Sequence, residues 1–383
     1  MKRILIIGAG PAGLFSAYLL AKRGFNVQII EEHTEIGLPI QCTGLATKTI
    51  KKILPYIEGH SCIKNIIQKI KVTTNNSVSL QIPTYELVLN RKTFDQHLGK
   101  LAEKAGAKIL CGYSFTGKSP DAKAEIINKK TGIKEKVDYD ILIGADGPLS
   151  KTAKSFFPKN KLKYYTGIQA IVKGKFENDT YDVFVGDAFP DFFGWCVPES
   201  ITRARIGLAA KIHTKKHFDA LCKKLNIKKK DILEYQGGLI PIYNSKNKIH
   251  TKYKNKHIFL IGDAAGQVKS TTGGGIVPLL QYAKYLTDCI NKKQYSNYSN
   301  SIWQKENRGL FLHLIIRKML DDFNDNDYKK LIRILSSRKA TRILGNTSRD
   351  NVVTLSTRLI LANPLHVLYA PRFLKALIST VFR

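Results

Sequence analysis

Three glycine-rich segments, each following a short apolar run, have residue types and spacing suited to holding a nucleotide. The run at 4–7 leads into Gly8-Ala9-Gly10-Pro11-Ala12-Gly13, and Glu31 stands 18 positions after Gly13. In this pattern Gly8 permits a tight turn, Gly10 lets backbone approach a pyrophosphate, and Gly13 lets a helix pack closely on a strand. The helix N-terminus then faces the phosphates, and the acidic residue accepts hydrogen bonds from a ribose diol. The run at 139–143 ends in Gly144-Ala145-Asp146-Gly147. The run at 258–261 ends in Gly262-Asp263-Ala264-Ala265, with Thr271-Thr272-Gly273-Gly274-Gly275-Ile276 downstream. One nucleotide needs one phosphate loop, so further strand ends bearing Asp suggest a long ligand lying across a sheet edge. FAD is such a ligand. Asp263 suits its ribityl hydroxyls, and the triglycine brings backbone N–H groups near its ring. A helix starting at 274–276 would stabilise negative charge at the pyrimidine edge of the reduced flavin.

The elements that must position these residues read as follows. Residues 4–7, 14–23 and 26–30 form a βαβ unit, with Gly24 stopping the helix. Residues 69–82 alternate as a hairpin about Asn75-Asn76, and 93–105 form an amphipathic helix closed by Gly106. Runs at 181–185, 193–197 and 204–209 look antiparallel, the floor of a second lobe; a Lys-rich helical region covers about 214–234. From 301 onward the pattern is mostly helical. The predicted fold is α/β: a Rossmann-like FAD-binding domain (1–60, 85–150 and 250–300) interleaved with an antiparallel-sheet substrate lobe (61–84 and 151–249), then a helical C-terminal region (301–383). No internal repeat or low-complexity tether separates them.

Composition bounds the alternatives. With 43% hydrophobic and 24% charged residues over 383 positions, the chain is neither disordered nor fibrous. Its net charge of +32 implies an anionic partner or a heavily solvated surface. A nucleic-acid-binding reading needs basic patches interleaved with aromatics, and Lys runs such as 228–230 lack them. The six cysteines form no C-x-x-C pair and no His cluster has zinc spacing, so neither a disulfide framework nor a structural metal is expected. The apolar start at 4–7 is cut by glycines, unlike a signal peptide, and no run of about 18 apolar residues occurs. A cytoplasmic protein is the expectation.

With Asn90-Arg91 ahead of the 93–105 helix, these segments resemble the glutathione-reductase-type flavoproteins of the p-hydroxybenzoate hydroxylase group. Within that group the chain resembles the geranylgeranyl reductase family, which includes archaeal digeranylgeranylglycerophospholipid reductases. Gly37-Leu38-Pro39-Ile40-Gln41-Cys42-Thr43-Gly44 is similar to the family's cysteine-containing loop. Pro190-Asp191-Phe192-Phe193-Gly194-Trp195-Cys196-Val197-Pro198 is similar to its Tyr-x-Trp-x-Phe-Pro motif. The likeness covers about residues 1–300; beyond that only position and helical character match.

Beside Gly8, Gly10, Gly13 and Gly274 of the glycine segments, the resemblance implies flavin contacts at Ala12, Glu31, Cys42, Thr43, Gly44, Arg91, Phe115 (through backbone), Asp263, Gly275 and Ile276. It implies substrate contacts at Phe193, Trp195 and Pro198. Phe193 stands where the family has Tyr and Val197 where it has Phe, so one hydroxyl is missing. Trp195 is either a substrate landmark or a filler of the lobe's core. Cys42 would lie near the ring, positioning an alkene or delivering a proton, although a free Cys is ordinarily a small buried hydrophobe. His33 reads as a surface neighbour of Glu31.

The implied reaction saturates isolated C=C bonds of geranylgeranyl chains, by hydride from reduced flavin N5 plus a proton, in archaeal-type membrane ether-lipid biosynthesis. The donor would be NAD(P)H binding transiently or an acidic reduced ferredoxin drawn to the basic surface. An FAD-dependent aromatic hydroxylase or halogenase is the rival on the same fold; a non-catalytic nucleic-acid-binding protein is more remote. Finally, 372–383 place Phe373, Leu374, Leu377, Ile378, Val381 and Phe382 on one helical face, with Arg372, Lys375, Ser379, Thr380 and Arg383 opposite. That suits a peripheral helix at the inner face of the cell membrane or one packed on the protein's own core.

Overall fold

The computed structural model describes residues 2–57, 59–75, 78–302 and 304–381. Strands and helices are numbered in chain order. The first sheet runs β16 (His250–Tyr253), β17 (Lys256–Leu260), β10 (Ile141–Gly144), β1 (Arg3–Ile7), β2 (Asn26–Glu31) and β6 (Lys108–Cys111). All are parallel except β16, which pairs antiparallel with β17 at the edge. Ile4, Leu5, Ile6 and Ile7 of β1 are buried, as a parallel strand covered on both faces requires. α1 (Pro11–Ala21) is buried almost all round because it lies between the sheet and two neighbours, α3 (Arg91–Lys104) and α6 (Ile276–Asn291). The ends of β1, β10 and β17 carry the three glycine-rich segments to one edge of this sheet, where open α/β sheets bind ligands.

The second sheet has eight strands, ordered β15 (Ile232–Ile242), β11 (Lys163–Lys173), β14 (Arg203–Ala210), β13 (Gly194–Ser200), β12 (Thr180–Val185), β4 (Ile63–Thr74), β5 (Ser79–Leu89) and β3 (Leu45–Thr47). It is antiparallel except between β12 and β4. The antiparallel group expected around 181–209 is β12–β13–β14. β3 and residues 85–89 of β5 also belong to this sheet, across the boundaries drawn from sequence at 60/61 and 84/85. The hairpin strands are longer than expected, and Asn76 of their turn lies outside the described residues. A third sheet, β7 (Tyr113–Lys118), β8 (Ala124–Asn128) and β9 (Lys134–Val137), flanks the first.

One expectation fails. The helical region at 214–234 ends early: α5 spans Thr214–Lys224, Asn226 turns left-handed at φ 55°, and β15 begins at Ile232. The second sheet recruits this segment as an edge strand along β11. Its alternation is masked in sequence by Gly237, Gly238 and Pro241, and by an outward face that exposes Leu233 and Tyr235.

Two short helices, α2 (Ile50–Ile53) and α4 (Lys151–Phe156), complete the first part of the chain. Five follow: α7 (Lys305–Asp321), α8 (Asp325–Leu335), α9 (Arg338–Asn346), α10 (Val352–Ala362) and α11 (Ala370–Val381). α9 rests on β5, where Gly345 approaches Pro83 closely enough that a Cβ would lie 3.1 Å from its carbonyl oxygen. Among the described residues no helix is long and apolar enough to cross a membrane.

Candidate functional site

The first loop closes around its glycines. Gly8 adopts φ 102°, and a Cβ there would sit 2.4 Å from the Ala145 carbonyl oxygen; at Gly13 it would sit 2.1 Å from the Gly8 carbonyl oxygen. Gly13 thus seals the helix–strand contact from behind. Gly10 has nothing within 4 Å of its Cβ position, because it faces an open groove. No side chain caps α1 at Gly10, so the first-turn N–H groups stay available to an anion. Glu31 is 8% exposed. Its Oε2 accepts from Ala9 N at 2.7 Å, and its Oε1 from His33 N at 2.9 Å, with His33 Nδ1 at 2.7 Å. Each carboxylate oxygen has two acceptor sites, so Oε2 can still take a ribose hydroxyl. His33 therefore orients the acidic residue rather than merely neighbouring it.

The groove, about 710 Å³, runs from Gly8, Gly10, Ala12 and Glu31 past Arg91, Phe115 and Cys42 to Asp263, Gly275 and Ile276. Arg91 is tied to Asp95 by contacts of 2.8 and 3.1 Å, and Asn90 caps its helix by accepting from Thr93 N. The two Asp-bearing strand ends differ. Asp146 is occupied, accepting from Ser150 Oγ at 2.6 Å and Thr152 N at 2.9 Å, and so caps α4. Asp263 accepts no hydrogen bond from any described residue, and burial pushes its carboxyl up to about 6 against the pull of Arg91. A carboxylate left without donors inside a groove is suited to a polyol. α6 starts beside it at Gly275, again without a side-chain cap. A long groove with an acid at one end, an open helix N-terminus midway, and an unpartnered carboxylate beside a second helix N-terminus fits FAD.

A second cavity, about 350 Å³, meets this groove at Cys42, Gly275 and Ile276. Phe193, Trp195, Ile70, Val72 and Val183 line it. Phe192 and Phe193 stack at 4.3 Å, and Phe193 meets Trp195 edge-on at 5.9 Å. The Trp195 indole N–H is buried without a partner among the described residues. Thr43, Gly44 and Gly274 border this cavity rather than the groove. Pro198 is not among its lining residues; farther along β13, its carbonyl accepts from Asn65 Nδ2 at 3.0 Å.

Sequence reasoning missed a set of buried and half-buried polar residues on and behind the cavity wall. Tyr181 Oη accepts from Arg349 Nη1 at 2.7 Å, and Arg349 pairs with Glu86. Lys269, beside Gly274, pairs with Asp350 at 2.6 Å, and Thr47 and Ser348 also donate to Asp350. His313 Nδ1 lies 2.6 Å from Thr271 Oγ1, and burial pushes its imidazole down to about 3, so it is neutral. These partners lie up to 303 positions apart, and no local pattern announces them.

The FAD binding domain family matches residues 1–286 of the 383. Digeranylgeranylglycerophospholipid reductase 3 of Methanosphaera stadtmanae is 26% identical over 93% of this chain and 96% of its own length. In fold, a geranylgeranyl bacteriochlorophyll reductase-like protein from Thermoplasma acidophilum superposes with a TM-score of 0.79 at 22% identity, over 97% of this chain and 99% of that one. A myxobacterial chondrochloren halogenase superposes at 0.64 with 13% identity, over 94% and 96%. With the loop, groove and free carboxylate in place, and a family match over most of its length, the chain belongs to the FAD-binding domain family.

Proposed function

We propose that this protein is an FAD-dependent reductase that saturates isolated C=C bonds in the geranylgeranyl chains of a glycerophospholipid, as in archaeal-type ether-lipid biosynthesis. The observation that carries this reading is the aromatic, largely apolar cavity that opens onto the cofactor groove at Cys42, Gly275 and Ile276. Likeness to a digeranylgeranylglycerophospholipid reductase over nearly the whole of both chains supports it. The likeness to halogenases is one of fold at 13% identity and favours no oxygen chemistry.

Bound FAD, once reduced, supplies the hydride. The protein's residues do the rest. Glu31 would hold the ribose hydroxyls of the cofactor and Asp263 its ribityl hydroxyls. The α6 N-terminus favours negative charge beside Gly275. Phe193, Trp195 and the aliphatic wall exclude water and align a prenyl chain. Cys42, half-buried where the two spaces meet, positions the alkene or passes it a proton.

The electron donor in this reading is an acidic ferredoxin steered by the +32 charge, or NAD(P)H binding transiently. A lipid surface is the second partner. Leu361, Leu368, Leu374 and Ile378, all at least half exposed, lie on α10, the following turn and α11. On α11 the inner side packs through Ala376 while Leu374, Ile378 and Val381 stay outside. Phe382 and Arg383 lie outside the described residues. Arg372 and Lys375 are engaged by Asp327 and Asp322, so the apolar stripe rather than these cations would contact the bilayer. Anaerobic incubation of dithionite-reduced holoprotein with a digeranylgeranyl glycerophospholipid tests the reaction: lipid mass rises in steps of two hydrogens, whereas unchanged lipid with fully reduced flavin contradicts it.

A further inference from the structure

Arg205, in β14 of the second sheet, is 3% exposed, and its guanidinium divides its donors between two partners. Its Nε and Nη2 reach Glu199 Oε1 at 2.7 and 2.6 Å, while Arg203 takes the other oxygen of Glu199 at 2.8 Å. Its Nη1 donates to two consecutive backbone carbonyls, Cys42 O at 2.8 Å and Thr43 O at 2.9 Å. A buried cation persists only when its charge and its donors are both met. Here Glu199 meets the charge, and the loop between groove and cavity meets the remaining donor.

This arrangement dictates the loop's peptide orientation. A trans peptide points its C=O and N–H in opposite directions, so drawing both carbonyls onto Arg205 turns the Thr43 and Gly44 N–H groups to the far side. Gly44 N–H is found there, 3.3 Å from Cys42 Sγ. The turn requires Gly44 at φ 77°, where a Cβ would lie 2.3 Å from the Leu89 carbonyl oxygen. The Thr43 side chain is anchored as well: its Oγ1 donates to Gln169 Oε1 at 2.9 Å, and Gln169 Nε2 donates to Gln236 Oε1 at 2.6 Å. β14 thus holds the Cys42 and Thr43 carbonyls and β11, backed by β15, holds the Thr43 hydroxyl, while the sulfur borders both spaces.

We infer that Arg205 is a positioning residue for Cys42, fixing the 42–44 peptides so that Gly44 N–H meets the sulfur at the junction of cofactor groove and substrate cavity. The inference rests on the reductase reading only for its consequence in turnover.

Its test uses FAD-loaded Arg205→Met, Arg205→Lys and Glu199→Gln. Alkylation of Cys42 by iodoacetamide is followed across a pH series by peptide mass spectrometry, which separates it from the other cysteines. The thiolate is the reacting species; the Arg91 guanidinium on α3 interacts with Cys42 in every variant, so the change in each is the N–H donor lost when the loop is released. Arg205→Met therefore keeps its flavin while the Cys42 profile moves to higher pH; Arg205→Lys, which can still hold the carbonyls, restores part of the shift. With prenyl lipid as substrate, kcat falls about tenfold while KM changes little. A wild-type Cys42 profile in Arg205→Met, however far its melting temperature drops, overturns the inference and leaves Arg205 as a structural tie. If Arg205→Met does not fold, a shifted profile in Arg205→Lys or Glu199→Gln supports the inference, and wild-type profiles in both overturn it. The alkylation arm needs no substrate, so its failure is distinct from failure of the reductase reading.

Discussion

Asp263 shows what burial does to a single carboxyl. Its carboxyl stands at about 6 instead of the ordinary 3.8 because burial disfavours its charge more than Arg91 favours it. Between those values the folded apoprotein holds a proton that the unfolded chain has released, so stability falls as pH rises across the window. Asp263→Asn removes this contribution: calorimetry of the apoprotein from pH 4 to 6 gives a flatter melting-temperature profile than wild type. On the proposed reading Asp263→Ala gives up a charged hydrogen bond to the cofactor, and FAD affinity measured by flavin fluorescence is expected to weaken by about 1.5–3 kcal/mol. Cys42 separates in the other direction. Cys42→Ala retains flavin yet yields incompletely reduced lipid, and Cys42→Ser, which keeps a polar hydrogen, recovers the product if proton transfer is its task. Unchanged product masses in both variants would return Cys42 to packing.

At the scale of elements, the glycine loop ahead of α6 is held from outside its own domain. Lys269 in that loop and Asp350 between α9 and α10 form a buried pair, 6% and 4% exposed respectively as residue and side chain. Burial opposes the Asp350 charge, but Lys269 and the hydroxyls around it hold the carboxyl below the usual range. Its contribution is therefore present at neutral pH and lost only in acid. Asp350→Asn strands the lysine, and urea melts at neutral pH should lose about 3–5 kcal/mol; a change within error would mean that water replaces the partner. The two kinds of contact differ in how they can be read. The βαβ unit, the 91–104 helix and the start of α6 rest on local spacing: glycines, caps and apolar periodicity a few residues apart. Asp263 was legible because its own strand aims it at the groove. β15 was not, since its glycines and proline break the alternation that its pairing with β11 imposes. Arg205 on Cys42, Arg349 on Glu86 and Lys269 on Asp350 were not legible either. Such pairs arise only when distant strands and helices are packed, and a lone Arg or Lys in this Lys-rich chain carries no mark of its partner.

For the whole molecule, the interleaving matters more than either sheet. The chain crosses between them repeatedly, so the cofactor groove and the apolar cavity share a wall instead of facing each other across a hinge. The proposed lipid substrate would have to be met at a bilayer surface. Leu368→Glu with Leu374→Glu, both on exposed positions, should abolish co-sedimentation with anionic liposomes at high salt while leaving flavin content unchanged; equal sedimentation would place the contact elsewhere. At low salt, residual binding through the net charge of +32 is expected. On the proposed reading, electrons pass from the flavin to an unactivated alkene. Its most direct test is to photoreduce the holoprotein anaerobically, add a digeranylgeranyl glycerophospholipid, and follow the oxidised flavin band. The band is expected to return with one double bond saturated per flavin reoxidised. A flavin that stays reduced until oxygen is admitted would contradict it.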